Sequence, residues 1–156
     1  MNATELFFDT IRKGLNDRLQ PQISNAPEVV NAKDMRGFTP LIFATYFGNA
    51  DAAKILLENG ALVDDNDASG NTALLGVCFK GNVEIAKLLL NHGADINAKN
   101  KQGITPLIYA TMYNQEAVVK LLMSSKADKT LLDNEGKSAL DYANDKGFQK
   151  IVELLS

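Results

Sequence analysis

Glu135-Gly136-Lys137-Ser138 contains the Gly-Lys-Ser that ends a phosphate-binding loop. Such a loop wraps phosphate in backbone amides and needs a second glycine five places before Gly136, where this chain has Leu131. Ser138 stands instead where a hydroxyl would cap a helix. Asp65-x-Asp67-x-Ser69-Gly70 opens as a calcium loop opens, with oxygen donors on alternate residues. The bidentate glutamate that closes such a loop falls on Gly76, so the segment reads as an acidic turn. Cys78, beside Leu74 and Val77, reads as a small buried hydrophobe rather than a nucleophile. His92 is the only histidine; it precedes Gly93 at a helix end, where partial positive charge is favourable. It has no Cys or His partner for a metal, and no Ser/His/Asp set emerges. The expectation is a protein with no catalytic residues, no metal and no cofactor.

The 156 residues suit one domain, and 46% hydrophobic content is enough for a sizeable core. A formal charge of -3 provides no basic field, so nucleic acid is not an expected partner. One cysteine excludes an intramolecular disulfide. No apolar run approaches the roughly 20 residues that cross a bilayer. Met1 to Leu15 carries Glu5 and Asp9 and lacks the basic-then-apolar order of a secretory leader. Asn2-Ala3-Thr4 has the glycosylation pattern, which means nothing without such a leader. A soluble, cytoplasmic, monomeric chain is expected, with no membrane partner.

What positions these residues is a repeat. Gly37, Gly70, Gly103 and Gly136 recur every 33 residues, followed by Thr39, Thr72, Thr105 and Ser138, then by Leu41, Leu74, Leu107 and Leu140. Gly48, Gly81 and Gly147 share a register in which Asn114 fills the missing slot, and Leu56, Leu89, Leu122 and Leu155 share another. In one copy, Thr39 can cap a helix, Pro40 suits its first position, and Gly48 supplies the left-handed residue that ends it. A second helix is expected over about Ala50 to Glu58, with Ala53, Leu56 and Leu57 on one side and Gly60 as its stop. Helices this short are marginal alone and must stack on their neighbours.

The pattern Asp34-x-x-Gly37-x-Thr39-Pro40-Leu41-x-x-Ala44, then Gly48, then Ile55-Leu56-Leu57-x-x-Gly60-Ala61, resembles an ankyrin repeat. The resemblance implies an all-α solenoid of stacked helix-turn-helix units joined by short hairpin-like loops. It divides the chain into an N-terminal capping repeat (1–33), full repeats (34–66, 67–99 and 100–132) and a C-terminal cap (133–156). Pro21 and Pro27 should make the first unit irregular, with Pro21 starting or bending a short helix. Asp141 and Asn144 are polar substitutions suited to a terminal unit with one face in water. Met1 and that polar cap are read as a complete chain. The histidine that the family places after Thr-Pro-Leu is here Ile42, Leu75 and Ile108, so apolar packing should replace its hydrogen bond. The stretch from Leu89 to Asn97 also resembles repeat segments modified by asparagine hydroxylases, at Asn97.

The resemblance further implies function through surface, on the concave side. Its binding positions fall on Arg36 and Phe38, on Asn71, on Lys101 and Ile104 in the hairpins, and on Tyr46, Phe47, Phe79, Lys80, Met112 and Tyr113 in the first helices. Met35, Ala68, Ser69, Gln102, Asn134, Glu135 and Lys137 complete the hairpin set, and Arg12, Lys13, Asp145 and Lys146 extend the helix set into the caps. Geometry supports part of this. At about 100° per residue, Leu41, Ala44, Thr45 and Gly48 share one sector, while Tyr46 lies roughly 140° from Leu41. Phe79 and Met112 occupy the same place as Tyr46 in their copies, and large apolar groups of this kind are enriched where proteins bind proteins. Fringed by Arg12, Lys13, Arg36, Lys80 and Lys101, they would line an apolar groove with a basic border for a segment with hydrophobic anchors and acidic residues. The competing reading folds these rings down to thicken the core; Phe43, Tyr109 and Tyr142 are assigned to that packing class. The expected activity is non-catalytic binding of another protein. A dedicated enzyme inhibitor or immunity-type partner is one alternative, a cation- or nucleotide-binding module a second, and a structural adaptor or fragment of a longer array a third.

Overall fold

Hydroxyl side chains start the helices. In the computed structural model, which describes residues 1–156, Thr39 Oγ1 accepts from the Ile42 amide at 3.1 Å, Thr72 from Leu75 at 3.3 Å and Thr105 from Ile108 at 3.2 Å. Ser138 accepts from the Asp141 amide at 3.1 Å, and the Asp141 carboxylate accepts from the Ser138 amide in return. Ten α-helices follow: α1 (Ala3–Arg12), α2 (Leu19–Asn25), α3 (Pro40–Tyr46), α4 (Ala50–Glu58), α5 (Ala73–Lys80), α6 (Val83–Asn91), α7 (Pro106–Met112), α8 (Glu116–Ser124), α9 (Ala139–Lys146) and α10 (Gln149–Leu155). The expected span of the second helix coincides with α4. None is long and apolar enough to cross a membrane.

The odd-numbered helices stack in one row, α1 on α3, α3 on α5, α5 on α7 and α7 on α9. The even-numbered helices lie behind them, each packed on its preceding partner. One apolar core runs the length of this stack: Leu41, Leu74 and Leu107 from the front row meet Leu56, Leu89 and Leu122 from the back row, all buried. Ile42, Leu75 and Ile108 are buried too, so apolar packing does fill the place where the family carries histidine. Cys78 is buried as well, and that burial pushes its thiol pKa far up.

The prolines explain the irregular N-terminal unit. Pro21 lies in the first turn of α2, where a missing N–H leaves no bond unmade. A 3-10 turn over Asn16–Arg18 precedes that helix, and Pro27 begins another over Pro27–Asn31. The connecting loops are turns rather than strands, with a single antiparallel bridge between Asn66 and Thr72. Each is organised by one side chain at the same register. The Oδ1 atoms of Asp34, Asp67, Asn100 and Asp133 accept from the amides two and four residues later, at 2.9 to 3.0 Å.

Neighbouring loops are laced together. The Lys101 amide donates to the Ser69 carbonyl at 3.1 Å and the Asn134 amide to Gln102 at 3.0 Å. Asn31, Asp64 and Asn97, again one repeat apart, accept from the Leu62, Asp95 and Asp128 amides at 2.9, 3.0 and 2.9 Å. Asn97 is thus a structural bridge between adjacent loops. Gly81 ends α5 at φ +82°, and Asn114 takes φ +55° in the corresponding slot after α7. Asp141 and Asn144 of α9 are exposed.

Candidate functional site

The front row of helices carries the aromatic residues. α3 buries every residue from Pro40 to Thr45, and Tyr46 and Phe47, where the helix ends, are left 38% and 64% exposed. Tyr113 is 47% exposed, whereas Phe79 and Met112 are half-buried. The rings form two clusters. In one, Phe43 meets Phe8 edge-on at 5.4 Å between centroids and Phe47 at 4.8 Å, and Phe47 meets Tyr46 at 5.3 Å. In the other, Phe79 meets Tyr113 at 4.5 Å and Tyr109 at 5.9 Å. These rings lean on one another as well as on the core, and each cluster keeps an exposed rim.

Basic groups border the first cluster. The Arg36 guanidinium lies 4.7 Å from the Phe38 ring centroid and 5.9 Å from Phe43, and it pairs with Asp34 at 2.9 Å. Burial acts to raise the Asp34 pKa, but bonds from the Phe38 amide and Arg36 outweigh it and hold the carboxyl below its ordinary value. Lys80 Nζ sits 4.8 Å from the Tyr46 ring centroid. Lys101 is exposed. Arg12 and Lys13 both pair with Asp9, so that end of the border is partly neutralised.

Several expected contact residues are placed otherwise. Ile104 is only 7% exposed, a correction to its assignment as a partner contact: its side chain is packed among the apolar residues of the core. Asn71 has its Oδ1 occupied by the Asn100 side chain at 3.0 Å. Phe38 is half-buried beneath Arg36. Of the three rings assigned to packing, Phe43 is buried, but Tyr109 and Tyr142 are half-exposed. Tyr142 uses that position to donate its hydroxyl to Asp133. Tyr109 lines the same cleft as Gly76, which has no ring.

That glycine was not among the expected site residues. Phe43, Gly76, Tyr109 and Tyr142 occupy one register, 33 residues apart, so the second full copy lacks the aromatic group of the others. Between the two ring clusters this leaves a cleft of about 380 Å³, walled by Phe43, Tyr46, Phe79 and Tyr109 and edged by Arg36 and Asp67. The signal was present in the repeat alignment, as a gap in an aromatic column rather than as a chemical motif. Burial raises the Tyr109 pKa, helped by the nearby Tyr113, Asp67 and Tyr46.

The residues first considered for chemistry have structural employment. Ser138 caps α9, and Lys137 reaches Asp145 at 3.2 Å and lies over the Tyr142 ring at 5.3 Å. Asp67 organises its own turn. His92 Nδ1 donates to the Leu88 carbonyl at 2.9 Å, closing the end of α6.

Known proteins share this construction. The family described as ankyrin repeats (3 copies) matches residues 9–100 and again 77–156. A transient receptor potential cation channel subfamily A member 1 homolog of Caenorhabditis elegans is 39% identical over 61 residues, 39% of this chain and 5% of that protein. The human DNA-binding protein RFXANK is 43% identical over 49 residues, 31% of this chain and 19% of that protein. The matched segments are thus a small part of both relatives. With the family match running through the observed stack of paired helices, this chain belongs to the ankyrin repeat family.

Proposed function

We propose that the protein is a non-catalytic interaction module that binds another protein across the face formed by α3, α5 and α7. The observation that carries this reading is the exposed rim of Tyr46, Phe47 and Tyr113, continuous with Phe79 and bordered by Arg36 and Lys80. Aromatic groups edged by cations suit a partner segment with apolar anchors and acidic neighbours. The structural roles of Cys78, Ser138 and Asp67 support a binding rather than a catalytic activity. The two relatives are named for a channel and for DNA binding, so what they share with this chain supports a common scaffold rather than either activity.

The test compares wild type with Tyr46→Glu/Phe79→Glu/Tyr113→Glu in a quantitative pull-down from native lysate, after thermal melts of both. The expected result is equal melting and loss of one captured protein in the triple variant. Retention of every captured protein by a folded triple variant would overturn the reading. A far lower melting temperature would assign the rings to the core, and move the partner site to the loops around Arg36 and Lys101.

A further inference from the structure

We propose that the cleft over Gly76 receives a tyrosine side chain from the partner, its hydroxyl donating to Asp67, with acidic residues of the partner lying toward Arg36 and Lys80. This rests on the interaction face proposed above and names what that face recognises. The chain contains its own template for the contact. In the last repeat, Asp133 uses Oδ1 to hold its turn, accepting from the Glu135 and Lys137 amides at 2.9 and 3.0 Å, while Oδ2 accepts from the hydroxyl of Tyr142. Asp67 uses Oδ1 identically, accepting from the Ser69 and Asn71 amides at 2.9 Å. Its Oδ2 takes no hydrogen bond within the protein, because the residue nine places on, which is Tyr142 in the last repeat, is here Gly76. Asp34 solves the same problem differently, with Arg36 filling Oδ2 at 2.9 Å opposite a phenylalanine. Asp67 is therefore the one turn carboxylate of the three left with a free oxygen, and Asp67 edges an aromatic cleft of about 380 Å³.

Charge selects the occupant. Lys80 and Arg36, the latter paired with Asp34, already lie over rings that border the cleft, so a cationic side chain would meet like charge there, whereas a phenol offers an apolar ring and a neutral donor. Acidic neighbours of that phenol would meet the same two cations favourably. Gly76 is also a local inconsistency: it sits inside α5 with an ordinary helical backbone, where glycine is poorer than any side chain but proline. A Cβ added there meets nothing closer than Tyr46 Cδ2 at 3.8 Å, so packing does not demand the glycine.

The test titrates the full chain with p-cresol, and with toluene as the ring without the hydroxyl, following backbone amide shifts by NMR. We expect saturable shifts at Asp67, Gly76 and Phe79 with p-cresol, and about ten-fold weaker binding of toluene, as one hydrogen bond to a charged acceptor implies. Asp67→Asn keeps the turn, since Asn100 builds the same turn one repeat later, and should bring p-cresol down to the toluene level. Gly76→Tyr should melt no lower than wild type and bind neither probe. Peptides selected from a random phage-displayed library on the wild type should converge on tyrosine beside acidic residues and fail to bind Gly76→Tyr. Equal binding of toluene, binding retained in Gly76→Tyr, a strong loss of stability in that variant, or convergence on peptides without tyrosine would each overturn the proposal. In the pull-down, a partner lost by the triple variant but kept by Gly76→Tyr overturns the tyrosine cleft alone. A partner kept by a folded triple variant overturns the interaction face and the cleft together.

Discussion

At the scale of single residues, Thr45 and Thr111 hold the same place in their repeats but differ in what their hydroxyls meet. Thr45 Oγ1 donates to the Leu41 carbonyl at 2.8 Å, whereas Thr111 Oγ1 is buried with no partner. Thr111→Val should therefore stabilise the protein by about 1 kcal/mol, while Thr45→Val should bring no gain. Urea unfolding of both variants decides it, and equal effects would mean that Thr111 is satisfied. Gly81 tests the repeat register. At φ +82° a β-branched residue is strained, and an added Cβ falls 2.3 Å from Gln115 Oε1, the side chain whose Nε2 donates to the Phe79 carbonyl. The Gln115 side chain can swing aside, so backbone strain is the larger effect, and Gly81→Val should cost at least about 2 kcal/mol. Wild-type stability of that variant would show that the left-handed position lies elsewhere.

Tyr142 and Asp133 make a pH-dependent pair. The Asp133 carboxylate, followed by burial, raises the Tyr142 pKa to about 12. A phenol whose folded value exceeds its ordinary 10.0 stabilises fully below pH 10 and loses that contribution as pH rises toward 12. For Asp133, burial acts to raise the pKa, but the bonds from Tyr142, Lys137 and Glu135 prevail and hold it below its ordinary 3.8. Its contribution is complete above that value and is lost as pH falls through the lower folded one. Tyr142→Phe should flatten the alkaline loss of stability between pH 10 and 12, measured as the difference from wild type in denaturant melts. Parallel pH profiles would dissociate the pair.

At the scale of elements, no front-row helix beyond α1 exceeds eight residues, so caps and neighbours carry the stability that length cannot. Thr105→Ala should lose about 1 kcal/mol through the Ile108 amide left without its acceptor. Leu89, fully buried in α6, should lose about 2–5 kcal/mol on truncation to alanine. A loss below about half a kcal/mol would contradict its place in the core. The exposed faces of α4 and α6 offer no comparable single target.

At the scale of the whole molecule, each helix pair contacts its neighbours along a line, and stability accumulates between adjacent units. Inner units are supported on two sides and terminal units on one. Amide hydrogen exchange should therefore protect α5 to α8 most, with α10 exchanging at least about ten-fold faster than α6. Equal protection along the chain would indicate one all-or-none unit. The same stack creates the concave face: aromatic groups separated by whole repeats in sequence become adjacent only when α3, α5 and α7 align.

The paired helices of the full repeats, the hydroxyl caps of their first helices and their order were legible in the sequence, because each depends on local features repeated in phase: Thr39 with Pro40, Gly81, and the leucines of α4 and α6. Helical period alone also turned Tyr46 away from Leu41. Distances across repeats were beyond it. Tertiary packing decided that Ile104 is core, that Tyr109 stays half-exposed and that Asn71 is held by Asn100. It also decided that a missing ring at Gly76 becomes a cleft rather than a collapsed core. Local propensity acts along the chain, whereas burial and access depend on which surfaces the stack brings face to face.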